Sequence, residues 1–388
     1  MPVTVYILGL IVFAMTTSEF MVAGMMSELS QQFGVSIAMI GYLISAYAGA
    51  MTVGGPVLAI FLSKIPKKNA LMLLVIIFLT GQTLGALSWN YESMMVARIL
   101  TGISSSAAFG IAISICSDLV QVQLRGRAAS VVLSGAMLSN IAGLPLATVA
   151  TQAWNWRTSF WIVDIFVLLS GLISLFLIPK LASAGSRTES EWASFRKKGL
   201  WAAYTTSMFI IGATFAAFSY FSPILTGLSG FQASTVPWLL VLYGAATVFG
   251  NIVVGRLADR YTMKVLVGGL VLLLSGLLGF ALFAQVQIIV LAALLLIGLT
   301  GITMNPAMSA RVMRAGGSGM LVNTVHTSVI TLGVLLGSSI GGRAMDHGYG
   351  LTAPLWTGIV LAMLGLLSLV PVLLPIARRQ SLQMSKKI

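Results

Sequence analysis

Acidic residues are scarce in this chain: 9 Asp and Glu stand among 388 residues, beside 22 Lys and Arg. Charged residues of both signs make up 8% of the sequence, whereas 58% is hydrophobic. Cys116 is the single cysteine, and His326 and His347 are the two histidines. One cysteine excludes a disulfide framework and a cysteine metal site. With so few acids and histidines there is no cluster at metal-ligand spacing and no nucleophile with a paired base, so no enzyme and no cofactor are expected. No nucleotide-binding motif is present, which argues against ATP-driven work. The N-terminus lacks the basic stretch of a signal peptide, since the first basic residue is Lys64, so residues 5–26 read as a retained helix.

What fills the chain is long apolar runs. A membrane-spanning helix needs about 20 such residues. Twelve runs qualify: 5–26, 37–61, 69–88, 93–115, 128–150, 158–178, 200–222, 235–257, 264–284, 287–310, 319–342 and 354–376. They are continuous and too long for the alternating strands of a membrane barrel. The basic residues fall in every second gap. They are Lys64, Lys67 and Lys68; Arg125 and Arg127; Lys180, Arg187, Arg196, Lys197 and Lys198; Arg256, Arg260 and Lys264; Arg311 and Arg314; and Arg378, Arg379, Lys386 and Lys387 in the tail. Only Arg98, Arg157 and Arg343 lie elsewhere. Retained loops collect Lys and Arg, so the basic gaps and both termini are expected on the cytoplasmic side of the cell membrane. The net charge of +13 is this topological pattern rather than a nucleic-acid surface.

The longest polar gap, 179–199, divides the chain into halves at 1–178 and 200–388, each with six spans. The halves echo each other. Ala59–Lys68 follows the second span and Gly255–Lys264 the eighth, each predicted as a short basic turn. The expected fold class is an all-α membrane protein of twelve transmembrane helices in two six-helix halves. Such parallel repeats place a substrate site between the halves near the midplane. Nothing in the sequence signals a dimer interface, so a monomer is expected.

The segment Gly255-Arg256-Leu257-Ala258-Asp259-Arg260-Tyr261-Thr262-Met263-Lys264 resembles the signature loop of the major facilitator superfamily, Gly-x-Leu-Ala-Asp-Arg-x-Gly-Arg-Lys. The first-half copy keeps Lys64, Lys67 and Lys68 but has Ala59, Ser63 and Pro66 where Gly, Asp and Gly are expected. The resemblance implies a cytoplasmic gate formed by Ser63, Lys64, Lys67, Asp259 and Arg260. Arg98-Ile99-Leu100-Thr101-Gly102 is similar to the family's Arg-x-x-x-Gly pattern, often linked with proton coupling. Gly135 with Gly143-Leu144-Pro145 partly resembles a glycine-rich motif of its antiporters. The opening Thr16-Thr17-Ser18-Glu19-Phe20-Met21-Val22-Ala23-Gly24 looks like the first helix of the twelve-span drug–proton antiporters, with chloramphenicol exporters and sugar or arabinose efflux permeases as the nearest likenesses. The implied function is proton-coupled export of small, partly hydrophobic molecules, including drugs. The alternatives are an exporter of one native metabolite (a sugar, a nucleobase or a metal-chelating compound) and a proton symporter.

Three charged residues sit well inside the predicted spans: Glu19, Arg98 and Asp164. Glu19 lies about 14 residues into the first span, roughly 21 Å from its cytoplasmic end, and Arg98 roughly 8 Å from the outer end of the fourth. The depths match, so a Glu19–Arg98 pair, or a triad with Asp164, is expected to couple protons. Apolar surroundings favour a neutral carboxyl and a nearby cation favours a charged one, so making and breaking such a pair switches proton affinity. Tyr47, Asn140, Tyr220, Trp238, Tyr243, Asn305, Asn323 and His326 are the candidates for lining a central cavity, as polar or aromatic anchors in apolar walls. Asn323 and His326, three apart, are expected to share a helix face. Trp154, Trp156 and Arg157 are expected at the outer interface as an aromatic belt. The implied partners are protons, a small-molecule substrate and the lipid bilayer.

Overall fold

The computed structural model describes residues 1–62, 64–121, 124–179, 192–317 and 320–385. Those residues form helices and turns, with no strand among them. Among the described residues, twelve helices are long and apolar enough to cross a membrane. Spans 1–6 are Val3–Gly24, Ile37–Leu62, Lys67–Ala86, Tyr91–Asp118, Arg127–Ala153 and Trp156–Leu177. Spans 7–12 are Lys198–Gly227, Ala233–Ala258, Arg260–Leu282, Gln287–Gly316, Val322–Tyr349 and Ala353–Pro371. Most of the 179–199 linker and the gate residue Ser63 lie outside the described residues.

Local chemistry sets several boundaries. Span 4 starts at a capping box, in which the Asn90 side chain accepts from the Ser93 amide at 2.9 Å and the Asn90 amide donates to the Ser93 hydroxyl. Span 6 starts where Asn155 caps Thr158. Three spans are broken just ahead of a proline. Span 5 widens to a π turn over Ser139–Gly143 before Pro145. Span 7 interrupts at Ser219 and Tyr220 before Pro223. Span 10 passes through a 3-10 turn, Ile302–Met304, before Pro306. Proline has no N–H to give the preceding turn and is tolerated only where a helix restarts.

One expected turn is tight, and one expected gap residue lies inside a span. Spans 8 and 9, Ala233–Ala258 and Arg260–Leu282, are two helices joined with almost no loop, and the chain leaves helical geometry at Tyr261 (φ −125°, ψ 30°). The signature-like segment therefore holds the short junction expected there, compressed to the residues around Tyr261. Arg311, expected in a basic gap, lies inside span 10 and is only 8% exposed.

The two halves repeat one helix contact. In the first half, span 5 crosses span 1 so closely that a Cβ on Gly135 would overlap the carbonyl oxygen of Gly9, and one on Gly9 would sit 3.2 Å from the Val131 carbonyl. In the second half, span 11 meets span 7 the same way: Gly337 overlaps the Gly212 carbonyl, and Gly212 lies 3.3 Å from the Gly333 carbonyl. Small residues at a crossing let backbones touch, which is how helices associate without a hydrophobic driving force.

Twelve successive spans return the chain to the side on which it starts, so the start of span 1 and the end of span 12 mark one face of the bundle, called here the terminal face. The halves meet toward the other face, where span 2 packs on span 11 and span 5 on span 8.

Candidate functional site

Arg98 is the centre of a buried polar layer in the first half, and it is 1% exposed. Its Nη1 donates to the Ser18 carbonyl at 2.8 Å and to the Ser18 hydroxyl at 3.3 Å, and its Nη2 donates to the Glu19 carbonyl at 3.0 Å. The guanidinium lies over the Tyr47 ring, 4.2 Å from its centroid. Tyr47 is itself fully buried and donates its hydroxyl proton to the Met15 carbonyl. Arg98 thus grips the backbone beside Glu19 rather than the carboxylate, and no ion pair joins the two side chains. The Nε of Arg98 is buried without a partner.

The layer continues through residues that sequence reasoning passed over. The Ser18 hydroxyl donates to Gln82 Oε1 at 2.7 Å, and Gln82 Nε2 donates to the Phe160 carbonyl at 3.3 Å. Both Ser18 and Gln82 are 0% exposed. Asp164 is not in contact with Glu19 or Arg98: its Oδ2 accepts from Thr83 at 3.0 Å and its Oδ1 is buried without a partner. A lone glutamine in an apolar span was the signal available for Gln82.

The expected cavity residues separate into groups. Asn140 lies in the π turn of span 5, bonded to the Ala136 carbonyl with its Oδ1 unpartnered. Its backbone carbonyl meets span 8 at Gly244. Tyr243 is buried with an unpartnered hydroxyl, stacked 5.2 Å from Phe218 and edge-on to Phe221. Phe20, next to Glu19, reaches across to Phe215 and Phe218 of the second half, each at 5.7 Å. Asn305 is exposed at the restart of span 10. Asn323 and His326 do not share an environment: Asn323 is exposed, whereas His326 is buried against Ser207 at 2.9 Å and stacked on Tyr204. Three residues along a helix is about 60° of rotation, enough to divide surface from core. Trp238 is 71% exposed on span 8, where Leu239 and Leu240 beside it are buried. Arg311 donates to Thr206 at 2.7 Å inside the second half.

Away from the terminal face the halves are closed. Tyr220 wedges between Gly41 of span 2 and Gly342 of span 11, neither of which has room for a Cβ, and donates to the Ser338 carbonyl at 2.8 Å. The Ser338 hydroxyl in turn donates to the Gly41 carbonyl at 3.1 Å. Asp346 accepts from Ser36 at 3.0 Å and Tyr42 at 3.2 Å, and Gln152 of span 5 bonds the Ala233 carbonyl. Tyr220 belongs to this closure rather than to a cavity wall. Thr52 and Thr331, 2.8 Å apart, join spans 2 and 11 nearer the middle. Toward the terminal face Ile60 and Phe61 of span 2 and Phe249 of span 8 are exposed. Of the expected gate residues, Lys67 pairs at 2.5 Å with Asp118 within the first half, Lys64 is exposed, and Arg260 lies against the Tyr261 ring. The side chain of Asp259 lies outside the described residues.

A separate pocket of about 350 Å³ opens beside the short helix Met26–Phe33, lined by Glu28, Gln31, Gln32, Thr151, Asn155 and Trp156. Trp156, expected at the interface, is instead 4% exposed with Arg157 over its ring. Trp154 is 71% exposed, as a belt residue would be. Burial pushes the Glu28 carboxyl above the usual carboxylate range. An acid raised on folding binds more protons folded than unfolded, so it removes stability as pH rises through that window. Glu28→Gln is therefore expected to melt above the parent protein at neutral pH and to lose that advantage near pH 4, as measured by thermal unfolding at both.

The Major Facilitator Superfamily model matches residues 8–320 and 230–386. A chloramphenicol resistance protein of Streptomyces lividans is 28% identical over 377 residues, 96% of each chain. The inner membrane transport protein YdhP of Escherichia coli (strain K12) is 31% identical over 358 residues, 92% of each chain. Among solved structures, a partially occluded inward open conformation of the xylose transporter XylE from E. coli superposes with a TM-score of 0.72 at 14% identity, covering 95% of this chain and 96% of that one.

Proposed function

The chain belongs to the major facilitator superfamily, and from that premise we propose that it is a proton-coupled exporter of small, partly hydrophobic molecules, working by alternating access as a monomer in the cytoplasmic membrane. The observation that carries this reading is Glu19: a carboxylate within span 1, without an ion pair, beside a guanidinium held on its own backbone. Intramembrane acids are costly and mark ion pathways. Basic gaps on the terminal face support placing that face and both termini in the cytoplasm.

The mechanism follows from the two environments open to Glu19. A proton binds the carboxylate and leaves a neutral acid, which crosses an apolar region at much lower cost than the anion. When Arg98 approaches, the anion is favoured and the proton leaves. Substrate taken up at the terminal face occupies the space below Phe20, Phe215 and Phe218 and exchanges for that proton. Asn305, exposed on span 10, offers a polar anchor there. Asp164, bonded to Thr83 on the same span as Gln82, is a second acid near the layer rather than part of a direct triad. The chloramphenicol resistance relative makes amphenicols a natural first substrate to try.

In proteoliposomes with an imposed pH gradient, screened with chloramphenicol, cationic dyes and small sugars, substrate-induced proton movement is expected in the parent protein. Glu19→Gln is expected to abolish it, a loss of at least about tenfold for an obligatory carrier. Full proton-driven transport by Glu19→Gln would remove the mechanism.

A further inference from the structure

The bonds around Arg98 leave one question of physical chemistry: why a guanidinium stays on two helix carbonyls when a carboxylate stands on the next residue. Bonds from a guanidinium to a carboxylate are stronger than bonds to a neutral carbonyl. Something must therefore hold Arg98 where it is. Ser18 does so directly, since its carbonyl and its hydroxyl both accept from Nη1. A hydroxyl has one proton to give, and here it goes to Gln82 Oε1 at 2.7 Å. That direction of donation leaves the lone pairs of the Ser18 oxygen free to face Arg98. Gln82 is fixed in turn, because its Nε2 donates to the Phe160 carbonyl of span 6. An amide with both ends bonded cannot flip without losing a bond at each. The chain Phe160–Gln82–Ser18–Arg98 thus crosses spans 6, 3, 1 and 4 in one layer.

We propose that Gln82 is the positioning residue that keeps Arg98 off the Glu19 carboxylate in this conformation. Gln82 touches neither Glu19 nor a transported molecule; it acts through Ser18. The buried and unspent Nε of Arg98 is the donor left for the carboxylate once the Ser18 contacts break. Because Gln82 is anchored on span 6, a shift of spans 3 and 6 against span 1 is what releases Arg98. Movement of the first half is thereby converted into a change in the charge environment of Glu19. This role rests on Glu19 being the coupling acid, but its test does not.

The test uses the full chain, purified in detergent, and the carboxyl reagent dicyclohexylcarbodiimide, which adds to protonated buried carboxyls. Modification of Glu19 is counted by mass spectrometry at one near-neutral pH. Gln82→Leu frees Ser18 and lets Arg98 reach the carboxylate, so labelling is expected to fall about tenfold, the effect of one unit in proton affinity. Ser18→Ala is expected to give the same fall from the other side of the bond. Adding Arg98→Leu to Gln82→Leu is expected to restore labelling, which a merely disrupted fold would not do. Thr83→Val, next in sequence but facing Asp164, is expected to label as the parent. Parental labelling in both Gln82→Leu and Ser18→Ala, or a fall that persists without Arg98, overturns the proposal. If Glu19→Gln keeps proton-driven transport while these labelling results hold, the transport mechanism fails and the positioning role stands.

Discussion

Gly337→Leu is expected to be the most damaging single substitution in the second half. A Cβ at this position overlaps the Gly212 carbonyl oxygen and comes within 3.0 Å of the Ala216 amide nitrogen. Backbone cannot yield as a side chain does, so spans 7 and 11 must separate. Overpacking a close contact costs about 1–3 kcal/mol, and more when the clash is with main chain. Spans 7 and 11 also carry the His326–Ser207 and Tyr204–Val322 bonds, which separation would stretch. Gly135→Leu is expected to do the same to spans 1 and 5. Gly268→Ala supplies the control: nothing lies within 4 Å of the added carbon, and alanine is the better helix former. Thermal unfolding in detergent should give a large loss for Gly337→Leu and Gly135→Leu and none for Gly268→Ala. Equal melting of all three would mean that these crossings do not stabilise the helix packing within each half.

These glycines also show where sequence reading reaches and where it stops. Span number and order were legible because length and apolarity are local properties, and the basic gaps marked every second turn. The basic, signature-like stretch at Gly255–Lys264 reads as a short turn, and two helices do meet there, at Tyr261. Arg311 differs: a charged residue near a span end reads as part of the loop, whereas its guanidinium donates a hydrogen bond to Thr206 inside the bundle. At the site, sequence depth brought Glu19 and Arg98 to one level. It could not reveal that Arg98 would choose backbone oxygens, because that choice depends on Ser18 and Gln82 arriving from other helices. Trp238 and Tyr220 are cavity candidates by residue type alone, and type does not say which way a side chain points. One belongs to the surface and the other to the closure between the halves.

That closure carries the largest expected functional effect. Tyr220 fits between Gly41 and Gly342 because both lack a side chain, and the fit lets its hydroxyl reach the Ser338 carbonyl. Gly41→Leu fills the space and must expel either the ring or span 2. Expelling the ring breaks the Tyr220–Ser338 bond, and moving span 2 breaks the Ser338–Gly41 bond as well. Each route weakens the conformation closed away from the terminal face relative to the one open there. An alternating-access carrier needs both conformations at comparable free energy, and a bias of about 1.4 kcal/mol already shifts their ratio tenfold. Transport by Gly41→Leu is therefore expected to fall at least about tenfold. The conformational cause is separable from unfolding. In a Cys116→Ser background, Ala38→Cys places a thiol at a site 2% exposed in the closed form, one turn from Gly41 on span 2. A maleimide should label it slowly in the parent and at least about tenfold faster once Gly41→Leu is added, at unchanged melting temperature. Slow labelling with transport lost would place the defect elsewhere than in the closure, whereas fast labelling with transport lost ties the Tyr220 wedge to the cycle itself.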